Sequence, residues 1–162
     1  DIPDGVDLND LEYIELHNPS DADEPLEGWR ISGGVDLAFA SGSWLAAGET
    51  VVVLSWNPTS PANALRLEIF REHYGLGDTV TLVGGYGGSL SDQGEPLSLW
   101  RLSASGVMAW EDGVAYGAAA LPPGAAPAAG EASHRQSPQS HGLGAEGWLT
   151  GPPSPGVAFP PP

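Results

Sequence analysis

The stretch LEYIELHN, residues 11–18, alternates side chains in a period of two. Glu12, Ile14 and Leu16 fall on one face, and Leu11, Tyr13, Glu15 and His17 on the other, which is the signature of a β-strand. Further along, TVVVLS (residues 50–55) is a β-branched run and reads as a buried strand. Between them NPSDADEP is a loop of turn-favouring residues, and GWRISGGVDLAF offers two short strands joined at Gly33-Gly34, a pair suited to the positive φ of a tight hairpin. LAAGE is another turn.

The period changes after residue 57. SPANALRLEIFREHY (residues 60–74) is the one stretch with helical spacing: Pro61 suits a first turn, Leu65, Ile69 and Phe70 lie on one stripe, and Gly75 is placed to stop it. Leu65, Leu67 and Ile69 also alternate, so a strand reading of ALRLEIF survives beside the favoured helix. TVTLVG and EPLSLWRLS then read as strands flanking GGYGGSLSDQG, with a bulge or strand end expected near Trp100. VMAWEDGVAYG is one more strand with a turn at Asp112-Gly113, or two short strands across it. Residues 118–132, rich in Ala, Pro and Gly, form a loop or linker. SHRQS suggests a last short strand, and GWLTGPPSPGVAFPPP a polyproline II-like ending. No internal repeat is present. The burial expected from alternation is Ile14, Leu16, Trp29, Ile31, Val51, Val53, Leu82, Leu97 and Leu99.

Composition agrees with a turn-rich all-β domain. The 162 residues include 23 Gly and 16 Pro, yet 41% are hydrophobic and six are Trp, which suits a packed core. There is no Lys, and 5 Arg against 21 acidic residues give a net charge of −16, which opposes binding to nucleic acid or anionic lipid. The absence of cysteine excludes a disulfide framework, a thiol nucleophile and a Cys-based zinc site. No apolar run approaches the roughly 20 residues of a membrane span. The chain starts at Asp1 and its sole methionine is Met108, as expected of a processed terminus or of a piece of a longer protein. Secretion fits that start, the acidity and the lack of cysteine.

The order of these blocks carries a resemblance. EYIELHNPSDADEPLEGWRIS resembles the opening of a lamin-tail domain: a strand alternating Glu with aliphatics, an Asn-Pro turn, then Gly-Trp entering the next strand. VDLAFASGSWLAAGETVVVLS is similar to the family's next block, GSLSDQGEPLSLW to its Leu-Ser-x-x-Gly-Glu hairpin, and SHRQS followed by GWLTGPPSPG to its ending. The resemblance covers about residues 11–156. It implies an immunoglobulin-like β-sandwich of the secreted bacterial kind, without enzymatic activity of its own. On this basis residues 1–10 are an acidic leader loop, 11–150 the sandwich with a helical insertion at about 60–75, and 151–162 a Pro-rich tail. One departure stands out. The family's usual first strand, of the type Val-Ile-Asn-Glu-Ile, precedes an acidic loop, and this chain begins inside that loop. The strand is then absent, removed, or supplied by another chain.

Chemical constellations are sparse. There is no Gly-x-Ser-x-Gly elbow and no His-Glu-x-x-His pair, and His17, His73, His134 and His141 are scattered. GGYGG lacks the Lys and helix of a phosphate loop. Asp4, Asp7, Asn9 and Asp10, with Gly5, resemble the ligand supply of a calcium loop but lack its closing bidentate Glu; solvated surface charge is the plainer alternative. Trp44 and Trp56, in or near loops, and Tyr86 are candidates for an aromatic binding surface. Val157, Ala158 and Phe159 are the apolar part of the tail that retains backbone N–H donors and can add to a sheet edge.

These readings converge on a non-catalytic extracellular structural or interaction module, needing no cofactor except possible calcium. It is expected to self-associate into a surface fibre or array by strand or tail exchange. The alternative is a carbohydrate- or protein-binding accessory module of a larger secreted protein.

Overall fold

The computed structural model describes residues 6–116, 130–137 and 147–157. Its strands are β1 (Tyr13–His17), β2 (Glu24–Pro25), β3 (Arg30–Gly33), β4 (Val35–Ala38), β5 (Trp44–Leu45), β6 (Thr50–Leu54), β7 (Thr81–Gly84), β8 (Gly87–Gly88), β9 (Pro96–Leu102), β10 (Met108–Ala115), β11 (Ala132–Arg135) and β12 (Trp148–Gly151). Helix α1 (Ala64–Tyr74) follows a 3₁₀ turn at Pro61–Asn63, and a second 3₁₀ turn, Leu8–Leu11, precedes β1.

A three-stranded sheet, β1-β6-β7, faces a five-stranded sheet, β10-β9-β3-β4-β8. The alternating residues of both sheets meet between them. Ile31, Val35, Val51, Val53 and Leu97 are buried there, with Leu26, Leu45 and Tyr86 closing the ends. The expected core is therefore present, and its members are graded by position. Ile31, Val51, Val53 and Leu97 are fully buried, whereas Ile14, Leu16, Trp29 and Leu99 pack against the same cluster half-buried. Leu82 packs half-buried against a different cluster, on the far side of the smaller sheet.

That far side departs from a two-layer sandwich. All five residues of β6 are buried, as a continuous apolar run demands when both faces of a strand are covered. The second cover is α1. Phe70 and Ile69, with Trp56, Val52, Leu54 and Leu11, form a second buried cluster. The helix also explains how β6 and β7 come to run parallel, with Val51 opposite Thr81 and Leu54 opposite Gly84. Parallel neighbours need a crossover connection, and residues 55–80 supply it. The helical reading of the 60–74 stretch holds, and Gly75 ends it with φ of 65°. The stripe is corrected: Leu65 is 54% exposed, and α1 packs through Leu67, Ile69, Phe70 and Tyr74.

Two other details differ from expectation, and a third falls where it was expected. β10 is a single strand with no turn at Asp112-Gly113, because Gly113 pairs with Ser98. The irregularity expected near Trp100 is a bulge on the strand paired with it: Trp110 faces Trp100 and Asp112 faces Leu99, which leaves Glu111 of β10 as the extra residue. Residues 148–151 are extended and pair with β11, so the ending is strand before it is proline-rich tail.

The β3–β4 hairpin forms as read, with Ser32 opposite Asp36. Gly33 carries a φ of 141°, and a Cβ there would run into the Pro96 carbonyl oxygen of β9. Only glycine adopts that conformation readily and lets the strands approach. Gly33→Ala is therefore expected to lower stability by about 2 kcal/mol. Urea denaturation checks this, and an unchanged midpoint would refute it.

Candidate functional site

The two sheets close on each other unevenly. On the side where β1 and β10 are the outermost strands, a cleft of about 900 Å³ opens between the layers. Ile14 and Leu16 line it from β1, Leu97 and Leu99 from β9, and Val114 from β10. These side chains face inward by strand alternation; Leu97 is buried and the others are half-buried.

The β11–β12 hairpin and the segment after it span this opening. Arg135 anchors the hairpin to β10, donating to Asp112 Oδ1 at 2.6 Å and to the Gly113 carbonyl at 2.8 Å while its guanidinium lies 4.0 Å over the Trp148 ring. Asp112 directly follows the bulged residue Glu111. Burial lowers the Arg135 pKa, and Asp112 opposes that shift. His134 Nε2 lies 3.0 Å from the Pro152 carbonyl. The chain then crosses to β1, where the Gly156 N–H donates to Glu15 Oε1 at 2.6 Å. Pro155 is buried in this contact, and a Cβ on Gly156 would press on the Val80 side chain.

Glu15 is consequently shielded from water. Burial pushes its carboxyl up to about 7, against the opposing effect of the Gly156 N–H. Glu12 is raised as well, by burial first and then by Asp92 and Asp7. Tyr13, beside Glu15 on the same face, is raised by burial. His17 is lowered by burial, and its Nδ1 lies 3.0 Å from Thr50 Oγ1. Across the cleft Tyr116 donates to Glu95 Oε1 at 2.9 Å. The Ser91 N–H donates to the same carboxylate at 3.0 Å and the Gly94 N–H to the Ser91 carbonyl at 2.8 Å, so Glu95 closes the Leu-Ser-x-x-Gly-Glu turn read from residues 90–95.

Residues 2–96 match the family model described as Lamin Tail Domain. The chain belongs to the lamin tail domain family. No curated protein gives a significant match. The family is an immunoglobulin-like, non-enzymatic module, in keeping with the two packed sheets. The family match ends at Pro96, inside β9; the resemblance seen in SHRQS and GWLTGPPSPG lies beyond it, in the hairpin that spans the cleft of this lamin-tail domain.

The acidic leader serves a local role in the lamin-tail fold. Asp7 Oδ1 accepts the Asn9 N–H at 3.0 Å and Asp10 Oδ2 accepts the Asp7 N–H at 3.1 Å, a reciprocal cap of the first 3₁₀ turn. Asp10 also pairs with Arg66 Nε at 3.0 Å, tying the leader to α1. Asp4 lies outside the described residues. Among the described residues no group of three or more His, Cys, Asp or Glu side chains converges to hold a metal.

The aromatic surface expected at Trp44, Trp56 and Tyr86 is not assembled. Trp56 and Tyr86 are each 5% exposed, and Trp44 alone is open at 63%. Trp56 follows β6 into the second core, where its indole N–H donates to the Asp10 carbonyl at 2.9 Å. Tyr86 packs into the main core, where burial pushes its hydroxyl up to about 12. Of the tail residues, Val157 is 50% exposed, and Ala158 and Phe159 lie outside the described residues.

Sequence reasoning missed Asn18. It is buried, and its amide nitrogen donates to the carbonyls of Ala22, Leu45 and Ala46 at 2.8, 3.1 and 3.1 Å while its oxygen accepts from Ser20. This single side chain fastens β1 to the β2–β5 end of the sandwich. The signal was available in the Asn-Pro dipeptide, since Asn before a turn serves its own backbone.

Proposed function

We propose that this lamin-tail domain is a non-catalytic extracellular module that self-associates by exchanging an extended segment along the edge of β1 that faces away from β6. The observation that carries the reading is the position of β1. It pairs with β6 on one side, and among the described residues no strand pairs with its other edge. That edge borders the cleft in which Ile14, Leu16 and Leu99 stay half-buried. An edge strand beside half-buried apolar surface is a template for strand addition.

The tail supports the same reading. Residues 152–157 already reach β1 of their own domain through the Gly156–Glu15 bond. A segment that docks in this way can make the same contacts on the β1 of a second copy, and a head-to-tail exchange of this kind is open and grows into a filament. The net charge of −16 opposes such stacking, so association should strengthen with salt or divalent cations. With no cysteine the chain is indifferent to an oxidising extracellular setting.

Deleting residues 152–162 removes the segment that carries the Gly156 contact together with the rest of the tail after it. Light scattering in physiological salt is expected to show large assemblies for the full chain and monomers for the shortened one. Equal sizes for the two chains would refute tail exchange.

A further inference from the structure

The outer face of the five-stranded sheet, opposite the cleft, carries a row of residues fixed by strand register. Met108 faces Leu102 and Trp110 faces Trp100; Trp100 in turn faces Arg30, and Arg30 faces Ala38. Directly opposed residues share one face of a sheet, and the intervening Ile31 and Leu97 point into the core. The row therefore crosses four strands on the solvent side. Trp110 is 44% exposed, Met108 41% and Leu102 51%, a contiguous apolar patch rather than scattered side chains. Trp100 is held in place, its indole N–H donating to Ser32 Oγ at 3.0 Å.

Beside the row is a depression of about 490 Å³ lined by Trp29, Arg30, Ser32, Phe39, Trp100 and Met108, within the usual size of a small-ligand site. Its polar groups are Ser32 and Arg30, and Arg30 is ion-paired with Asp36, which faces Ser32 on the neighbouring strand. This pair makes the face locally neutral in a chain of net charge −16.

We infer that this face is a platform for a neutral glycan, with Trp110 and Trp100 stacked on pyranose rings and Ser32, Arg30 and Asp36 at their hydroxyl rim. A sugar ring has an apolar C–H face and a belt of hydroxyls, which is what paired indoles beside a guanidinium, a carboxylate and a hydroxyl complement. Local chemistry selects against the other occupants. A polyanion is repelled by the whole chain, a cationic peptide finds the platform's carboxylate, Asp36, already paired with Arg30, and a second copy brings another chain of net charge −16 without the backbone hydrogen bonds that an added strand gains. The platform is on the opposite sheet from the β1 edge, so the two proposals stand or fall separately.

The test is calorimetric titration of the full chain with cellohexaose, mannohexaose, laminarihexaose and chitohexaose, followed by tryptophan fluorescence. At least one is expected to bind with a dissociation constant near or below about 1 mM. Trp110→Ala should weaken it at least about tenfold, the loss of one stacking contact of roughly 1.4 kcal/mol, and Trp44→Ala, an exposed indole off the platform, should leave it unchanged. Binding by none of the four sugars, or binding that Trp110→Ala leaves intact, overturns the proposal. So does a concentration-dependent dimer that Trp110→Ala abolishes, since a second copy then covers the face.

Discussion

Phe70→Ala is expected to lower stability by about 3–5 kcal/mol, the range for emptying a fully enclosed aromatic site. Phe70 is 0% exposed and is the centre of the layer that α1 adds outside the three-stranded sheet. Its ring meets those of Tyr13, Trp56 and Tyr74 edge-on, with centroids 6.3, 6.1 and 4.9 Å away. Two of these partners also hold the leader, through Trp56 to the Asp10 carbonyl and Tyr74 to the Leu11 carbonyl, both at 2.9 Å. The alanine thus leaves a cavity and loosens three aromatic neighbours together. For a chain of this size the melting temperature should fall by roughly 10 °C, with loss of the near-ultraviolet circular dichroism of the aromatic cluster. A fall of less than about 3 °C would mean that α1 contributes little to the fold, and the three-layer description would be wrong.

That outer layer is also where the sequence was least legible. The alternation of residues 11–18 identified β1 and its inward pair, Ile14 and Leu16. The same alternation puts Glu15 on the face away from that pair, where a carboxylate usually points to water. Its burial comes from residues 152–157, more than a hundred positions away, and no local pattern contains that. The run at residues 50–55 read correctly as buried for the same reason that its second cover was invisible: continuous apolarity says that both faces are covered, not by what. The helix that covers it shows little amphipathic contrast, since its contacts lie at Leu67, Ile69, Phe70 and Tyr74, with charged residues between them.

The aromatic residues teach a related lesson. Trp56 and Tyr86 stand among turn residues, and proximity to Pro and Gly suggested exposure; both are buried because the turns fold back on the sheets. Trp100 and Trp110 sit within strands and were passed over. The clue was the spacing about the turn after Leu102: once Leu102 opposes Met108, Trp100 must oppose Trp110. Pairing positions across the turn would have found the platform.

Glu15 gives the stability of the domain a marked pH dependence. Its carboxyl titrates at about 7 in the folded chain, against an unfolded value near 4.5. A group whose folded pKa is raised contributes its full stability below the unfolded value and loses it as pH rises through the folded one. Between about pH 4.5 and 7 the domain should therefore lose stability as Glu15 ionises, by on the order of 3 kcal/mol at most. Glu12, also raised, acts in the same direction. His17, lowered by burial, acts oppositely, because protonating it on the acid side costs stability. Glu15→Gln isolates the carboxyl: the amide oxygen can still accept the Gly156 N–H and never ionises. Urea denaturation is expected to give similar stabilities for the two chains at pH 4.5, and a Gln chain more stable by about 2–3 kcal/mol at pH 8.5. Since the carboxylate gains water by releasing residues 152–157, the protection of the Ser154, Gly156 and Val157 amides, relative to their intrinsic base-catalysed exchange rates, should fall above pH 7 in the natural chain and not in the variant. A stability difference between the two chains that is the same at both pH values would show that Glu15 titrates alike in the folded and unfolded chain, and that the tail does not seal it from water.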